Sequence, residues 1–422
     1  MYLCIRKSIY FSMKKYLWLF LLFFVFGCAN LERDIVDEFV QNSTQKLDFC
    51  QITGFEYAGI ENQAVNDKVL KVLMVHGIGT HHPGYSMELQ QNLAKKMGLD
   101  ILSRVPKNIT LKDPILKQKE IGNLRITFWK SSHNKAQMLF YELTWSEITQ
   151  PYKNIIAFDT TEQYSEYRVP FNNAMKDFLD NILPDPMIYL VDPNNLILHS
   201  AQQALCWLAQ TDWDNIPNGQ SKVCPLKNVQ LANRIAEQNV MFITHSLGSE
   251  ILLDAIISIA NDIESLPKKE QAKILPALQH KKVTLFMLAN QLPLLLIDKP
   301  LPRVHNKTAA YCQKTGKDYH LRIFDQLNII AFSDPNDILS YEIPQTFANE
   351  YLDSRLCAKV TNVVVNVAPE ISAFGVGIVN PDAAHTDYDK SQKVIDLMVG
   401  GGLSLPKECP IIYLKDDDLL KR

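Results

Sequence analysis

The sequence predicts an α/β protein: a mostly parallel central sheet flanked by helices. Short apolar runs of strand length recur along the chain, as expected for parallel strands buried on both faces. Between them lie segments with apolar residues at helical spacing, and this alternation of strand and helix is the signature of crossover-connected parallel strands. The 422 residues are 47% hydrophobic and 21% charged with a formal net charge of -3. That composition permits a large core, and with no long basic stripe it excludes a nucleic-acid partner.

Residues 1–27 read as a signal peptide. Two lysines follow Met13, an apolar run extends from Tyr16 to Phe26, and Gly27-Cys28 closes it. The run is shorter than the roughly 20 residues that span a bilayer and has the proportions of a signal-peptide core. The start at Met1 or at Met13 is left open. Residues 28–66 are polar and mixed, a tether and first packing segment.

The first core section, residues 67–149, opens with "KVLKVLMVHGIG", a fully buried strand, followed by the helix "SMELQQNLAKKMG" and the strands "LRITFWKS" and "QMLFYELTWS". The next buried strand, "QNVMFITHS", comes only after about 90 residues, too long for an ordinary crossover. Residues 150–235 are therefore expected to be a largely helical cap insertion, containing "PFNNAMKDFLDNIL" and "NNLILHSAQQALCWLAQT". The second core section, residues 236–400, resumes the alternation with "KKVTLFMLANQ", "LNIIAFSDPND" and "VTNVVVNVAPE", then the closing helix "DKSQKVIDLMVGG". Residues 401–422 read as a tail.

Cysteine usage fits an exported chain. Apart from Cys4 and Cys28 there are Cys50, Cys206, Cys224, Cys312, Cys357 and Cys409. An oxidising compartment allows up to three bridges among them, in a pairing the sequence leaves open. None has the spacing of a zinc ribbon, and His81 and His82 lack acidic or cysteine partners at ligand spacing, so no metal is expected. Those two histidines read as rim residues.

One junction carries chemistry. In "MFITHSLGSE" a buried strand stops at Ser246 and the helical pattern "SEILLDAIISIA" begins almost at once, so the turn must be very tight. "THSLGS" resembles the nucleophile elbow of the α/β-hydrolase superfamily, usually Gly-x-Ser-x-Gly, with Ser246 as nucleophile, Gly248 at the second glycine and Thr244 in place of the first. The resemblance extends over most of residues 68–400 and implies a lipase- or esterase-like serine hydrolase without a cofactor. A serine hydroxyl needs a base, and the base an acid, in the family's chain order serine, acid, histidine. Asp337, beyond the strand "LNIIAFS", and His385, the only histidine after it, supply them in that order. Asp334 competes for the acid's place, but it precedes Pro335 and reads as a turn residue. His245, beside the nucleophile, reads as structural.

"VHGIGTHH", just after the first buried strand, resembles the oxyanion loop of lipases. By that resemblance the N–H groups of Ile78 and Leu247 face the oxyanion, while Gly77 and Gly79 let the backbone approach. "VFGC" resembles a bacterial lipobox, implying a lipid on Cys28, and Ala29 after it favours the outer membrane, facing the periplasm or exterior. The expectation is an envelope hydrolase, lipid-anchored at Cys28, that cleaves carboxylic esters, lipid-like ones first, with "ISAFGVGIVNP" as a candidate acyl-pocket lining. A thioesterase, amidase or acyltransferase with the same triad, or a non-catalytic binding protein of the same fold, remain the alternatives.

Overall fold

The computed structural model describes residues 48–64, 68–161, 165–210, 212–225, 228–297, 299–373 and 376–414. The signal peptide and Cys28 lie outside the described residues. The strands are β1 (Cys50–Gly54), β2 (Leu70–Val75), β3 (Leu99–Ile101), β4 (Lys107–Lys112), β5 (Glu120–Ser131), β6 (Gln137–Thr144), β7 (Gln220–Lys222), β8 (Asn239–His245), β9 (Lys282–Leu288), β10 (Gln326–Ser333), β11 (Ala358–Val365), β12 (Glu370–Ala373), β13 (Val376–Val379) and β14 (Ile411–Tyr413).

Among the described residues the main sheet runs β14–β1–β11–β10–β9–β8–β2–β6–β5–β4–β7, with β3 on β5. From β6 through β2, β8, β9 and β10 to β11 every pairing is parallel. Antiparallel pairings extend it on both sides, β5 on β6 and β1 on β11. The observed architecture is thus a mixed α/β fold with a mostly parallel central sheet flanked by helices.

Side-chain alternation along β2 divides the interior into two cores. Leu73 and Val75 join one face with helices Leu196–Gln210, Gly248–Ser265 and Lys268–Leu278, whereas Leu70, Val72 and Met74 join the other with helices Met87–Met97 and Gln392–Gly400. Successive residues of a strand point to opposite faces, so a strand covered on both sides must be apolar at nearly every position. The sequence of β2, LKVLMV, is buried throughout.

Chain order reverses at β2 and β8. After β2 the chain moves out to β6, and β8 returns it to the other edge of β2 before continuing to β9. The connections leaving the carboxyl ends of these neighbours therefore diverge, opening the crevice where open α/β sheets bind ligands. The loop Gly77–Gly79 leaves one of these ends and Ser246 the other.

Three expectations need correction. The insertion expected over residues 150–235 divides in two, because helix Leu196–Gln210 is buried on most of its circumference and lies on the sheet, touching β2, β4, β5 and β6. It is a crossover helix, and its largely apolar sequence reflects burial between sheet and helix Gly248–Ser265. Residues 401–414 are not a free tail: β14 pairs in parallel with β1, and Cys409 bridges to Cys50. The strand β4 has no counterpart among the expected elements, since its half-polar KNITLK lacks an apolar run.

All six remaining cysteines are paired, Cys50–Cys409, Cys206–Cys224 and Cys312–Cys357. "ISAFGVGIVNP" forms the separate hairpin β12–β13, of which residues 374 and 375 lie outside the described residues.

Candidate active site

Ser246 occupies the tip of a strained turn. Its φ is 52°, a left-handed conformation that costs a non-glycine residue on the order of 1 kcal/mol. The turn is held because the Ser246 N–H donates to Leu288 O at the end of β9 (2.9 Å), while Ser249 N–H already reaches back to Ser246 O (3.0 Å). Two glycines allow the close approach. A Cβ on Gly248 would lie 2.4 Å from Val75 O, and one on Gly77 2.5 Å from Ser246 Cβ. Thr244, at the first position of the Gly-x-Ser-x-Gly pattern, is fully buried, and its hydroxyl bonds Ser249 Oγ (2.9 Å) and Phe286 O (3.3 Å). The extra side chain is accommodated by tying the strand to the first turn of the helix.

His385 lies on the short helix Pro381–Thr386, and its Nδ1 is 2.8 Å from Asp337 Oδ2. The other Asp337 oxygen accepts from Leu339 N–H (2.9 Å), so both carboxylate oxygens are engaged. Asp334 has a different task. It accepts from the N–H groups of Asn336 (2.8 Å), Val367 (2.6 Å) and Ala368 (3.5 Å) and from the Asn336 and Asn366 amides, knitting the end of β10 to the segment after β11. Ser246 Oγ and His385 Nε2 are buried and make no hydrogen bond among the described residues. A catalytic role is one of the reasons for which a buried polar atom is left unpaired in a native protein.

The loop after β2 is braced from several sides. His76 Nε2 accepts the Trp145 N–H (3.1 Å), which leaves the proton on Nδ1 for Gly77 O (2.8 Å). Its ring stacks on Trp145 at 4.6 Å. His81 Nε2 lies 3.2 Å from Ile78 O, and its ring packs 4.2 Å from His76. His81 is thus a strut of the loop rather than a rim residue; His82 is exposed. Farther along, the buried Glu142 accepts from Gly84 N–H (2.5 Å) and Ser86 N–H (2.9 Å). Gly79 has φ 98°, so glycine is needed there for conformation rather than for space. The Ile78 and Leu247 N–H groups donate to no backbone acceptor among the described residues, whereas Gly79 N–H is taken by Asp185 Oδ2 at 2.6 Å.

Asp185 is the site residue that sequence reading missed. It is fully buried on helix Pro184–Val191 and pairs with the equally buried Lys153 at 2.9 Å. Burial raises its carboxyl above the ordinary range, and Lys153 opposes that shift. Its one sequence signal is a charge between two prolines at the head of an otherwise apolar helix. No group of metal-ligating side chains occurs among the described residues.

Three histidines at the site are held neutral by burial. Desolvation lowers His81 to about 4 and His245 to about 3, and places His76 well below its ordinary value. His245 Nε2 lies 2.8 Å from His385 O, so the neutral ring donates an N–H hydrogen bond that fixes the His385 backbone. Unfolded His245 takes up a proton below about pH 6.5, while the folded ring stays neutral down to about 3. The unfolded state therefore binds more protons in that window, and His245 costs stability as pH falls. His245→Gln, which keeps a donor, is expected to gain stability over wild type by up to about 1.4 kcal/mol per pH unit below about 6.5. Denaturant melts of both proteins at pH 7 and 5 check this, and an unchanged difference would contradict it.

No family model, no curated protein and no solved structure matches this chain.

Proposed function

We propose that this chain is a membrane-anchored serine hydrolase of α/β-hydrolase fold that cleaves carboxylic esters through an acyl-enzyme. The observation that carries the reading is the pair of buried, unbonded atoms Ser246 Oγ and His385 Nε2, the serine strained at the switch point and the histidine oriented by Asp337. In the mechanism, His385 Nε2 takes the hydroxyl proton as Ser246 Oγ attacks the ester carbon. Asp337 holds the Nδ1–H tautomer and stabilises the imidazolium. The Ile78 and Leu247 N–H groups receive the developing oxyanion, a term worth about 2.7–4 kcal/mol for a strong donor. Collapse expels the alcohol, which takes the proton from His385. Water, deprotonated by the same nitrogen, then releases the acid and restores Ser246.

A lipid-like substrate is favoured by the cap. Leaving aside residues 160–165, 171 and 174, no apolar side chain of 150–195 is buried, while Ile155, Tyr167, Met187, Leu190 and Val191 are more than half exposed. An apolar outer face of this kind suits contact with lipid or another apolar partner. Hydrolysis of envelope lipids and short-chain esters by the purified chain, with Ser246→Ala as control, tests the reading; release of acid by wild type alone is expected. Transfer to a thiol, amine or second alcohol uses the same triad and shows as a product other than free acid.

The envelope location rests on "VFGC" and on three disulfides, which persist in oxidising compartments. Mass spectrometry of the protein from native membranes is expected to find Cys28 as the acylated first residue. A mature chain that retains residues before Cys28 or carries no lipid there would contradict the anchor.

A further inference from the structure

We propose that Asp185 is a positioning residue for the oxyanion loop, so that the loop's donor geometry depends on the cap helix Pro184–Val191 being seated. The proposal rests on the hydrolase reading above for its consequence in catalysis, but its structural content is independent of the substrate.

The loop contains two successive peptide units whose planes decide where the Ile78 N–H points. In the first, Gly77 O is held by His76 Nδ1 at 2.8 Å. Carbonyl and N–H point in opposite directions across a trans peptide, so this bond turns the Ile78 N–H away from His76. In the second unit Ile78 O lies 3.2 Å from His81 Nε2 and Gly79 N–H donates to Asp185 Oδ2 at 2.6 Å. The first two contacts come from the loop itself. The third comes from the cap. Without it, only the 3.2 Å contact to His81 holds the second plane, and Gly79 at φ 98° resists a swing little, because glycine adopts either sign of φ with little cost.

The chemistry around Asp185 is not what stability would select. Leaving aside residues 160–165, 171 and 174, Lys153 and Asp185 are the buried side chains of 150–195, and both belong to the cap. A buried ion pair is often no better for stability than apolar residues of the same size. What the carboxylate adds is an acceptor aimed at Gly79. The same helix makes a second polar contact one turn on, where Tyr189 Oη donates to Asp254 Oδ2 (2.5 Å) on helix Gly248–Ser265. Residues four apart share a helix face. One face of the cap helix thus reaches both the loop that carries Ile78 and the helix that begins beside Leu247, while Met187, Leu190 and Val191 stay exposed.

Two double variants separate the acceptor from the charge. Lys153→Met/Asp185→Leu removes both charges and the acceptor, whereas Lys153→Met/Asp185→Asn removes both charges and keeps an acceptor for Gly79. With a short soluble ester, the Leu pair is expected to lose about 10-fold or more in kcat with KM changed less than about threefold, and the Asn pair to stay within about threefold of wild type. Hydrogen exchange across residues 76–82 is expected to lose protection at Gly79 in the Leu pair and keep it in the Asn pair. Should the Leu pair not fold, Asp185→Ala is read by the same exchange. Unchanged kcat and unchanged Gly79 protection in a folded Leu pair, or an equal loss in both pairs, overturns the proposal. A wild type that cleaves no ester sinks the hydrolase reading instead, and the exchange comparison still decides whether Asp185 holds the loop.

Discussion

Ser246→Ala is expected to melt within about 1 kcal/mol of wild type and to lose turnover by about 10⁴- to 10⁶-fold, the scale seen when a triad serine is removed. The side chain makes no hydrogen bond among the described residues, so its loss breaks none. The turn itself is held by backbone, Ser246 N–H to Leu288 O and Ser249 N–H to Ser246 O, and alanine keeps both. What disappears is the proposed nucleophile. Rates of ester hydrolysis and thermal melts on the same preparation check both halves, and a folded variant with near-normal turnover would remove Ser246 from the mechanism.

Asp337→Asn is expected to lower turnover by about 10⁴-fold while the fold persists, because an amide beside His385 Nδ1 favours the tautomer with its proton on Nε2, where the base must be free. Asp334→Asn is expected to do the reverse. Its carboxylate is buried and accepts from three backbone N–H groups and two side-chain amides, so the exchange costs on the order of 2–3 kcal/mol. That exceeds the roughly 1 kcal/mol of a lost turn bond that the sequence alone suggests. Turnover and melting of both variants form the check. A collapse of catalysis confined to Asp334→Asn would exchange the two roles.

The residues that were legible in the sequence share a local cause. β2 and β8 to β10 show as apolar runs because burial on both faces favours apolar side chains at most positions, and Ser246 shows because the strand meets the helix with no room for a loop. Asp337 separates from Asp334 through a local effect too, since Pro335 commits its predecessor to an extended conformation. The parts that were not legible depend on contacts distant in sequence. Asp185 reads as an ordinary helix-start acid until Gly79, more than a hundred residues earlier, is placed against it. β14 is short and half exposed, and only its pairing with β1 and the Cys50–Cys409 bridge make it part of the sheet. Helix Leu196–Gln210 is mostly apolar, a pattern that says it is buried without saying under what. His245 was recognisable as structural, but not as the donor to His385 O, because that partner comes from a separate loop.

The most direct test of the central claim is reaction of the folded, full-length protein with a fluorophosphonate, followed by peptide mass spectrometry. An activated serine displaces fluoride at phosphorus, with His385 taking the hydroxyl proton and the oxyanion donors receiving the phosphoryl oxygen. The account predicts a single adduct on Ser246, reduced by orders of magnitude in Asp337→Asn. A folded protein that acquires no adduct, or acquires it on a different residue, would contradict it.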